Sequence, residues 1–321
     1  MPRKKERRNV KSKRRSKSSP LLLLVVVLFL ALGAVIWYGW SLYTKAEAIV
    51  DRSFETFRSG DEDRASDTIK RPFAVAFIGI DDSDARNQGE YDSLADALLV
   101  ATFNPNEHSV RLVSIPRDTY AYFPSNGSYD KATHAHRIGG STTTVEMLEY
   151  LLNLRIDYFV KADFNGFIQL IDALGGIEVD VPYEFVEKDE NDRNVIHLQR
   201  GKQTVDGRHA LALARTRKLD NDFERGKRQQ MIIRSIIHRA VEPSAVATYP
   251  QLLESLDGHI KTNFRFKQLL SLSTYAKNGL PEVETLSLTG RDFQKGGLYY
   301  FKPSERSLTD VRTALKEHMK S

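Results

Sequence analysis

The stretch FAVAFIGIDD at residues 73–82 decides the fold class, because a short apolar run passes directly into two aspartates. A continuous apolar run of this length, bounded by a polar loop, is typical of a buried strand. Two further apolar runs follow, ALLVATF at 97–103 and VRLVSI at 110–115. The sequence Asn-Pro-Asn at 104–106 predicts a tight turn between them. We therefore expect three successive strands.

Beyond these strands, apolar runs alternate with segments of helical spacing. DYFVK at 157–161 and IEVDV at 177–181 predict two more strands, and Gly175-Gly176 predicts the end of the helix before the second. We infer an α/β fold, with a central mixed sheet covered on both faces. The predicted helices are 142–152, 164–174, 207–217, 223–241, 250–256, 266–276 and 308–319.

Composition bounds the class of protein. The chain has 321 residues, 41% of them hydrophobic, which suits one or two globular domains and argues against overall disorder. The absence of cysteine excludes disulfides, cysteine-ligated zinc and thiol catalysis. Residues 1–19 hold ten Lys/Arg and one Glu, a net +9, whereas the remainder has 37 basic and 41 acidic residues, a net −4. We therefore expect no nucleic-acid partner for the globular part.

An uncharged run of 23 residues, Leu21–Tyr43, follows the basic tail. As a helix it would measure about 34 Å, slightly more than the ~30 Å hydrocarbon core of a bilayer. Trp37, Tyr38, Trp40 and Tyr43 lie near its C-terminal end, where an interfacial aromatic belt is expected. A cleaved signal peptide is the alternative, but its apolar region is normally only about 7–15 residues long.

These features predict a cell-membrane protein with a single span, a cytoplasmic N-terminus and an extracytoplasmic catalytic domain. The predicted organisation is a basic tail at 1–19, a transmembrane helix at 20–43, a polar and partly helical stalk at 44–70, and a catalytic domain at 71–321. The tail alternatively resembles a nuclear or nucleic-acid signal, but its position beside the span favours topology and contact with anionic lipid.

Carboxylates cluster where the first predicted strand ends. Asp81, Asp82 and Asp84 follow that strand directly, and Asp92 and Asp96 come one loop later. Carboxylates at strand ends are suitable ligands for a hard divalent cation such as Mg²⁺. A solvated acidic loop is the alternative that these residues alone leave open.

Arg117 follows the 110–115 strand, and Pro116 ends the hydrogen-bonded ladder just before it. An arginine emerging at a sheet edge is suited to bidentate binding of an anion. A simple surface pair with Asp118 is the alternative.

A second arginine-rich segment lies further along the chain. If Asp222 caps a helix over 223–241, Arg225, Arg228 and Gln229 share one face of that helix. This pattern predicts a pyrophosphate cradle, and a solvated basic helix face is the alternative. Four arginines lie within fourteen residues: Arg215, Arg217, Arg225 and Arg228.

Other candidate sites are weaker. His134, His136 and His197 lack the helical spacing of a metal motif, so structural or surface roles are the simpler interpretation. No G-x-S-x-G elbow and no P-loop occurs in the sequence. One apolar group fits a core better than a lipid pocket by periodicity: Phe159, Phe164, Phe167, Ile168 and Ile171.

Taken in order, these segments resemble the LytR–CpsA–Psr family of Gram-positive cell-envelope proteins. The resemblance implies an α/β/α sandwich with a hydrophobic pocket for a polyprenyl chain. The matching segments lie within a span of about half of the chain: FIGIDDS (77–83), DALLVATFNP (96–105), VRLVSIPRDTY (110–120), KATHAHRIGG (131–140), IDYFVKADFNGFIQLIDALGGIEVDV (156–181) and DGRHALALARTRKLDNDFERGKRQQ (206–230).

The resemblance implies a Mg²⁺-dependent phosphotransferase. Such a protein moves an anionic glycopolymer, wall teichoic acid or capsular polysaccharide, from a polyprenyl-pyrophosphate carrier to peptidoglycan, forming a phosphodiester. The implied partners are the polyprenyl-pyrophosphate-linked glycopolymer, peptidoglycan and membrane lipid. Two alternatives stay open: a non-catalytic polyprenyl-phosphate-lipid binding protein, and a membrane regulator of envelope genes.

Site residues follow from the resemblance by matching motifs. Asp81 and Asp96 would hold Mg²⁺ against the pyrophosphate, and either Asp222 or Asp81 would serve as general base. The implied catalytic residues are Asp81, Asp96, Arg117, Arg215, Arg217 and Asp222. The implied pyrophosphate-binding residues are Arg117, Lys131, Arg215, Arg217, Arg225 and Gln229.

Three positions depart from the family pattern. Ser83 stands where the family often has arginine, and Arg86 is a possible substitute. Ala95 follows Leu94 where Arg-Ser or Arg-Thr is usual, and Thr133 replaces the customary asparagine. We therefore expect fewer cations at the site, with weaker activity or an altered substrate preference.

Overall fold

The computed structural model describes residues 41, 43–56, 70–82, 93–189, 194–216, 222–240, 242, 254–277 and 281–320. The chain divides into two compact units, Met1–Lys45 and Ala46–Ser321. Within the described residues, no helix has both the length and the apolar character that crossing a bilayer requires. The predicted basic tail and nearly all of the predicted span lie outside the described residues.

The second unit contains both strands and helices. The strands are β1 (Phe73–Ile80), β2 (Ala95–Asn104), β3 (Ser109–Ser114), β4 (Tyr120–Phe123), β5 (Ser128–Lys131), β6 (Tyr158–Ala162), β7 (Ile177–Val181), β8 (Phe185–Lys188), β9 (Asn194–Leu198), β10 (Gly201–Val205), β11 (Ile260–Thr262), β12 (Glu282–Ser287), β13 (Gly290–Lys295) and β14 (Leu298–Pro303). The helices are α1 (His134–Leu152), α2 (Phe164–Ala173), α3 (Gly207–Arg215), α4 (Asp222–Ala240), α5 (Phe266–Lys277) and α6 (Glu305–His318).

The central sheet has six strands in the order β11-β6-β1-β2-β3-β12. β1 runs parallel to β6 and antiparallel to β2, while β3 runs antiparallel to β2 and parallel to β12. The predicted mixed sheet is therefore confirmed. Four two-stranded ladders accompany it: β4-β5, β7-β10, β8-β9 and β13-β14.

Side chains on alternate positions of β1 enter different cores, as the two-residue period of a strand requires. Ile78 packs in the core on the face covered by α1 and α6, together with Leu148 and Leu315. Phe77 points to the opposite face, where it packs with residues that include Ile233 of α4. Both faces of the sheet are thus covered, as predicted.

The expectation that strands and helices alternate throughout is wrong in places. β12, β13 and β14 follow one another without an intervening helix, and the β4-β5 and β8-β9 hairpins also interrupt the alternation. β12 and β13 carry mostly exposed or half-exposed side chains, so they lack the apolar run that identifies a buried strand. α1 begins at His134 rather than at Thr142, with a kink at Gly139 and Gly140.

Residues 46–56, part of the predicted stalk, lie against the edge of the sheet. Phe54 forms a bridge with Thr262 of β11, and the N–H of Glu55 donates to the carbonyl of Thr262 at 2.9 Å. The buried ammonium of Lys161 lies 3.3 Å from Oε2 of Glu55. An ion pair and a backbone hydrogen bond therefore tie this segment to β6 and β11.

Candidate functional site

Two carboxylates lie at the neighbouring ends of β1 and β2. A bulge in the β1-β2 ladder after Gly79 leaves Asp96 as the extra residue on β2. Asp81 follows β1 directly, and its N–H donates to the carbonyl of Leu94 at 3.0 Å. The mixed sheet thereby brings together two acids that are fifteen positions apart in the sequence.

Arg117 and Lys131 join Asp96 in a network of alternating charges. Nη1 of Arg117 donates to Oδ1 of Asp96 at 2.6 Å, and its Nε lies 3.7 Å from Oδ2 of Asp118. Nζ of Lys131 donates to the other oxygen of Asp118 at 2.7 Å. Arg117 therefore contacts Asp118, as the alternative interpretation expected, and it also lines the cavity described below.

Backbone hydrogen bonds hold this network in register. The N–H of Thr133 donates to the carbonyl of Arg117 at 2.9 Å, and the N–H of Ala95 donates to the carbonyl of Thr133 at 3.2 Å. Thr133 is buried, and within the described part of the chain its Oγ1 has no hydrogen-bond partner. The segment after Lys131 therefore links the loop that carries Arg117 to the start of β2.

Close packing of α2 and α3 positions the second arginine segment. A Cβ on Gly207 would lie 2.2 Å from the carbonyl oxygen of Ile168, so α3 meets α2 at a distance that only glycine allows. The N–H of Gly207 donates to Oδ1 of Asp172 at 2.7 Å. Asp206 caps α3 by accepting from the N–H of His209. Burial opposes ionisation of Asp206, but the hydrogen bonds from His209 outweigh it and lower the pKa of the carboxyl.

Arg215 occupies the last turn of α3, with its guanidinium carbon 4.7 Å from the centroid of the Phe164 ring. Among the residues that the structure describes, no group accepts a hydrogen bond from its buried Nη1. A buried, unpaired donor is costly to the protein alone, and an anionic ligand would satisfy it. Arg215 is therefore suited to binding phosphate oxygens.

Arg228 does not take part in the pyrophosphate cradle that the sequence predicted. It is only 4% exposed, and its Nε and Nη2 donate to the carbonyls of Leu213 and Thr216 at 3.0 and 2.5 Å. Its Nη1 lies 3.3 Å from the hydroxyl of Tyr183. Arg228 therefore satisfies carbonyls at the C-terminal end of α3 and holds the turn that carries Arg215. Helix-face periodicity could not separate this role from ligand binding.

A cavity of about 380 Å³ lies between the sheet, α2, α3 and α4. Its polar lining includes Asp96, Arg117, Arg215, Arg225 and Gln229. Its apolar lining includes Phe77, Leu99, Phe164, Phe167, Ile232 and Ile233. One continuous space therefore joins a charged region containing several arginines to an apolar interior.

The structure brings five of the predicted site residues to this cavity: Asp96, Arg117, Arg215, Arg225 and Gln229. Asp163 also lines the cavity and was not predicted to do so. Asp81 and Lys131 are not part of the lining, although Lys131 is connected to it through Asp118 and Arg117. α4 begins at Asp222. Arg217, the side chain of Asp222, Ser83 and Arg86 lie outside the described residues.

The apolar group predicted from the sequence separates into two sets. Phe164 and Phe167 line the cavity, whereas Phe159 and Ile171 are fully buried in two different cores. The isoleucines of α4 also line the cavity and were not predicted to do so. The paired isoleucines of MIIRSIIHRA at 231–240 are the signal that could have revealed them, because they recur four residues apart on one helix face.

The three candidate histidines have separate partners. His134 pairs with Asp130 at 2.8 Å, His197 with Glu184 at 2.7 Å, and buried His136 contacts Ser93. Across the described residues, no group of three or more His, Asp or Glu side chains is arranged to hold a metal ion.

Known proteins resemble this chain in sequence. Residues 41–317 match the model of the LytR_cpsA_psr family. The chain is 34% identical over 253 residues to an uncharacterised protein of Staphylococcus aureus, covering 78% of this chain and 62% of that protein. It is 34% identical over 255 residues to the polyisoprenyl-teichoic acid–peptidoglycan teichoic acid transferase TagT of Bacillus subtilis, covering 79% of each chain.

Solved structures show the same similarity. The crystal structure of B. subtilis TagV matches with a TM-score of 0.69 and 35% identity, over 78% of this chain and 98% of that chain. The TagT structure with bound octaprenyl pyrophosphate lipid matches with a TM-score of 0.63 and 33% identity, over 78% of this chain and 92% of that chain.

Proposed function

This chain belongs to the LytR–CpsA–Psr family, and from that premise we propose that it transfers an anionic glycopolymer from a polyprenyl-pyrophosphate carrier to peptidoglycan. The transferred polymer is wall teichoic acid or capsular polysaccharide. The product is a phosphodiester between the polymer and a sugar hydroxyl of the acceptor. The named activity of the TagT relative and the octaprenyl pyrophosphate in a TagT structure support this assignment.

The observation that carries the proposal is the cavity with two chemically different ends. Its volume of about 380 Å³ falls in the range typical of ligand sites. Its apolar interior suits a prenyl chain, because burial is worth about 0.8 kcal/mol for each methylene removed from water. Its charged end presents Arg117, Arg215 and Arg225, whose guanidinium groups suit phosphate oxygens.

The reaction is a displacement at phosphorus. A hydroxyl oxygen of the acceptor sugar attacks the phosphorus that carries the glycopolymer, and the bond from that phosphorus to the bridging oxygen breaks. Polyprenyl phosphate leaves with the bridging oxygen, and the hydroxyl proton passes to a carboxylate. Asp81 or Asp222 is the proposed base. The arginines bind the phosphate oxygens and offset the charge that develops on them.

Two carboxylates at the neighbouring ends of β1 and β2 are suitable ligands for a divalent cation. Asp81 and Asp96 offer carboxylate oxygens from adjacent strand ends, the donor type that Mg²⁺ prefers. We propose that these two residues hold Mg²⁺. When bound, the ion would add positive charge beside the pyrophosphate. The 2.6 Å contact with Arg117 orients the Asp96 carboxylate.

We propose that the protein is anchored in the cell membrane by the span at 20–43, with its N-terminus in the cytoplasm and the catalytic domain outside. The sequence supports this arrangement, since ten cationic residues precede the uncharged run. A polyprenyl-linked substrate resides in the same bilayer, so the anchor keeps enzyme and substrate close together.

A reconstituted transfer assay tests the proposal. Full-length protein in detergent receives a labelled polyprenyl-pyrophosphate-linked polymer, Mg²⁺ and peptidoglycan, and both released polyprenyl phosphate and labelled peptidoglycan are measured. We expect equal amounts of the two products with the wild type and a large loss with Arg215→Met. Val195→Ala, at an exposed position on β9, is the control and should retain activity. Bound but unconsumed lipid would favour the non-catalytic lipid-binding alternative instead.

A further inference from the structure

The β4-β5 hairpin carries tyrosines on its outer face. Alternate residues of a strand point to opposite faces, and Ala121 and Phe123 are buried in the core below β4. Tyr120 and Tyr122 therefore occupy the other face. In the β4-β5 register Tyr122 lies opposite Tyr129, and Tyr120 lies opposite Lys131. Three tyrosines and the site lysine thus share one side of the hairpin.

These rings form a continuous row with a neighbour from α1. The ring centroids of Tyr120 and Tyr129 are 5.0 Å apart and stacked, and those of Tyr122 and Tyr129 are also 5.0 Å apart. Tyr150 of α1 extends the row, with its centroid 4.8 Å from that of Tyr122. Tyr129 is 53% exposed and Tyr150 is 54% exposed. About half of the surface of each of these two residues is exposed, which core packing does not require.

The β13-β14 hairpin supports the inner end of the row. Phe293 and Tyr300 contact Tyr120 edge-on, with centroids 5.3 and 5.2 Å away. Nζ of Lys295 donates to the hydroxyl of Tyr120 at 2.7 Å. The ring of Tyr120 is therefore fixed on two sides, and a cation lies beside it.

The row is continuous with the charged network of the site. Nζ of Lys131 lies 5.7 Å from the centroid of the Tyr300 ring, and the same atom donates to Asp118 at 2.7 Å. Asp118 in turn contacts Arg117, which lines the cavity. An extended molecule lying on the tyrosines would therefore end beside the proposed phosphate-binding arginines.

We propose that the row Tyr150-Tyr122-Tyr129-Tyr120 binds a glycan strand of the acceptor and presents its hydroxyl to the site. This inference rests on the proposed function. The C–H faces of a pyranose ring stack on aromatic faces, and consecutive rings of a glycan match a row of side chains better than a single pocket. Tyr129 and Tyr150 are exposed, and exposed aromatic side chains beside a binding site indicate an interaction surface.

A glycan-binding experiment tests the inference. Full-length protein in detergent is titrated by calorimetry with soluble, uncrosslinked glycan strands of peptidoglycan. The variants are Tyr129→Ala and Tyr150→Ala, with Tyr129→Phe retaining the ring and Val195→Ala as an exposed apolar control on β9. Loss of one stacked ring should weaken binding about fivefold. We expect this loss in both alanine variants, and wild-type affinity in Tyr129→Phe and Val195→Ala.

Three further measurements test the folding of the variants and the rival occupants of the row. The melting temperature of each variant shows whether it folds, and Tyr150→Ala tests the row even if Tyr129→Ala unfolds. Sedimentation with anionic vesicles and size-exclusion chromatography test a lipid surface and a second copy of the chain as occupants. Equal glycan affinity in wild type and both alanine variants would overturn the inference, as would a loss confined to vesicle binding or self-association.

Failure of this inference can be distinguished from failure of the proposed function. In the transfer assay, Tyr129→Ala should raise the KM for the acceptor several-fold while leaving binding of the lipid donor unchanged. A wild type that binds and consumes the donor but binds no glycan on the row refutes only the inference. A wild type that does not consume the donor refutes the proposed function, whatever the glycan titration shows.

Discussion

Arg215 of α3 and Arg228 of α4 should respond differently to the same substitution. Arg215→Met removes a guanidinium whose buried Nη1 has no partner within the described residues. Relief of that unpaired donor is worth about 1–3 kcal/mol, and loss of the contact with Phe164 costs about 0.5–2 kcal/mol. We therefore expect the free energy of unfolding to change by between about −1 and +2.5 kcal/mol.

Arg228→Met should instead unfold the protein more easily. It leaves the carbonyls of Leu213 and Thr216 without their donors, at a cost of about 1–3 kcal/mol each. The total of about 2–6 kcal/mol corresponds to a fall in Tm of roughly 4–24 °C for a domain of this size. Differential scanning calorimetry of both variants, with exposed Arg208→Met as a matched control on α3, measures the contrast.

For ligand binding we expect the reverse order, with a larger effect from Arg215→Met than from Arg228→Met. A hydrogen bond to a charged group is worth about 1.5–3 kcal/mol, so Arg215→Met should weaken polyprenyl pyrophosphate binding about 10- to 150-fold. Arg208→Met should bind as the wild type does. A stable Arg215→Met variant with unchanged affinity would refute the role of Arg215. A fall in Tm as large as that of Arg228→Met would refute the hydrogen-bond account.

Three further outcomes are expected. Ala97→Phe fills part of the cavity, so it should weaken binding of a long-chain prenyl pyrophosphate more than tenfold. Its affinity for inorganic pyrophosphate, measured by calorimetry, should be unchanged. An equal loss for both ligands would contradict the division of the cavity into an apolar end and a charged end. EDTA should abolish transfer, and Mg²⁺ should restore it. The Asp96→Asn variant should need more Mg²⁺ than the wild type to reach its half-maximal rate. Activity in the presence of EDTA would exclude the proposed ion. Burial, reinforced by the positive charge of Arg111, lowers the pKa of His318. The unfolded state therefore binds a proton that the folded state does not, and stability should fall as pH drops through about 6.5. A His318→Gln variant should show a flatter Tm–pH curve, and an unchanged slope would exclude His318 as the cause.

The buried strands and the main helices were predictable because their periodicity reports burial directly. β1 and β7 have the predicted bounds, and α2 ends before the predicted pair of glycines, whose φ angles are 77° and 89°. The edge strand β12 and the hairpin strand β13 were not predictable in this way, since their mostly exposed side chains give no apolar signal. The tyrosines of the β4-β5 hairpin are seen to share one face only when the strand register is known.

The site residues also divide into those that the sequence identifies and those whose role depends on tertiary packing. Arg225 and Arg228 are equivalent by composition and spacing, yet one lines the cavity and the other binds backbone carbonyls. The difference depends on how α3 packs against α4, which no local pattern specifies. Asp96 and Arg117 were identifiable by residue type, but their 2.6 Å contact depends on a bulge and a strand register.

The central claim is that one cavity binds a prenyl chain at its apolar end and a pyrophosphate at its arginine-rich end. Titrating the full-length protein with geranyl, farnesyl and geranylgeranyl pyrophosphate, and with the matching prenyl alcohols, tests both ends in one calorimetric series. Affinity should rise at least about tenfold from geranyl to geranylgeranyl pyrophosphate, because more apolar surface is buried, and each alcohol should bind more weakly than its pyrophosphate. Affinity that is independent of chain length, or equal for alcohol and pyrophosphate, would contradict the claim.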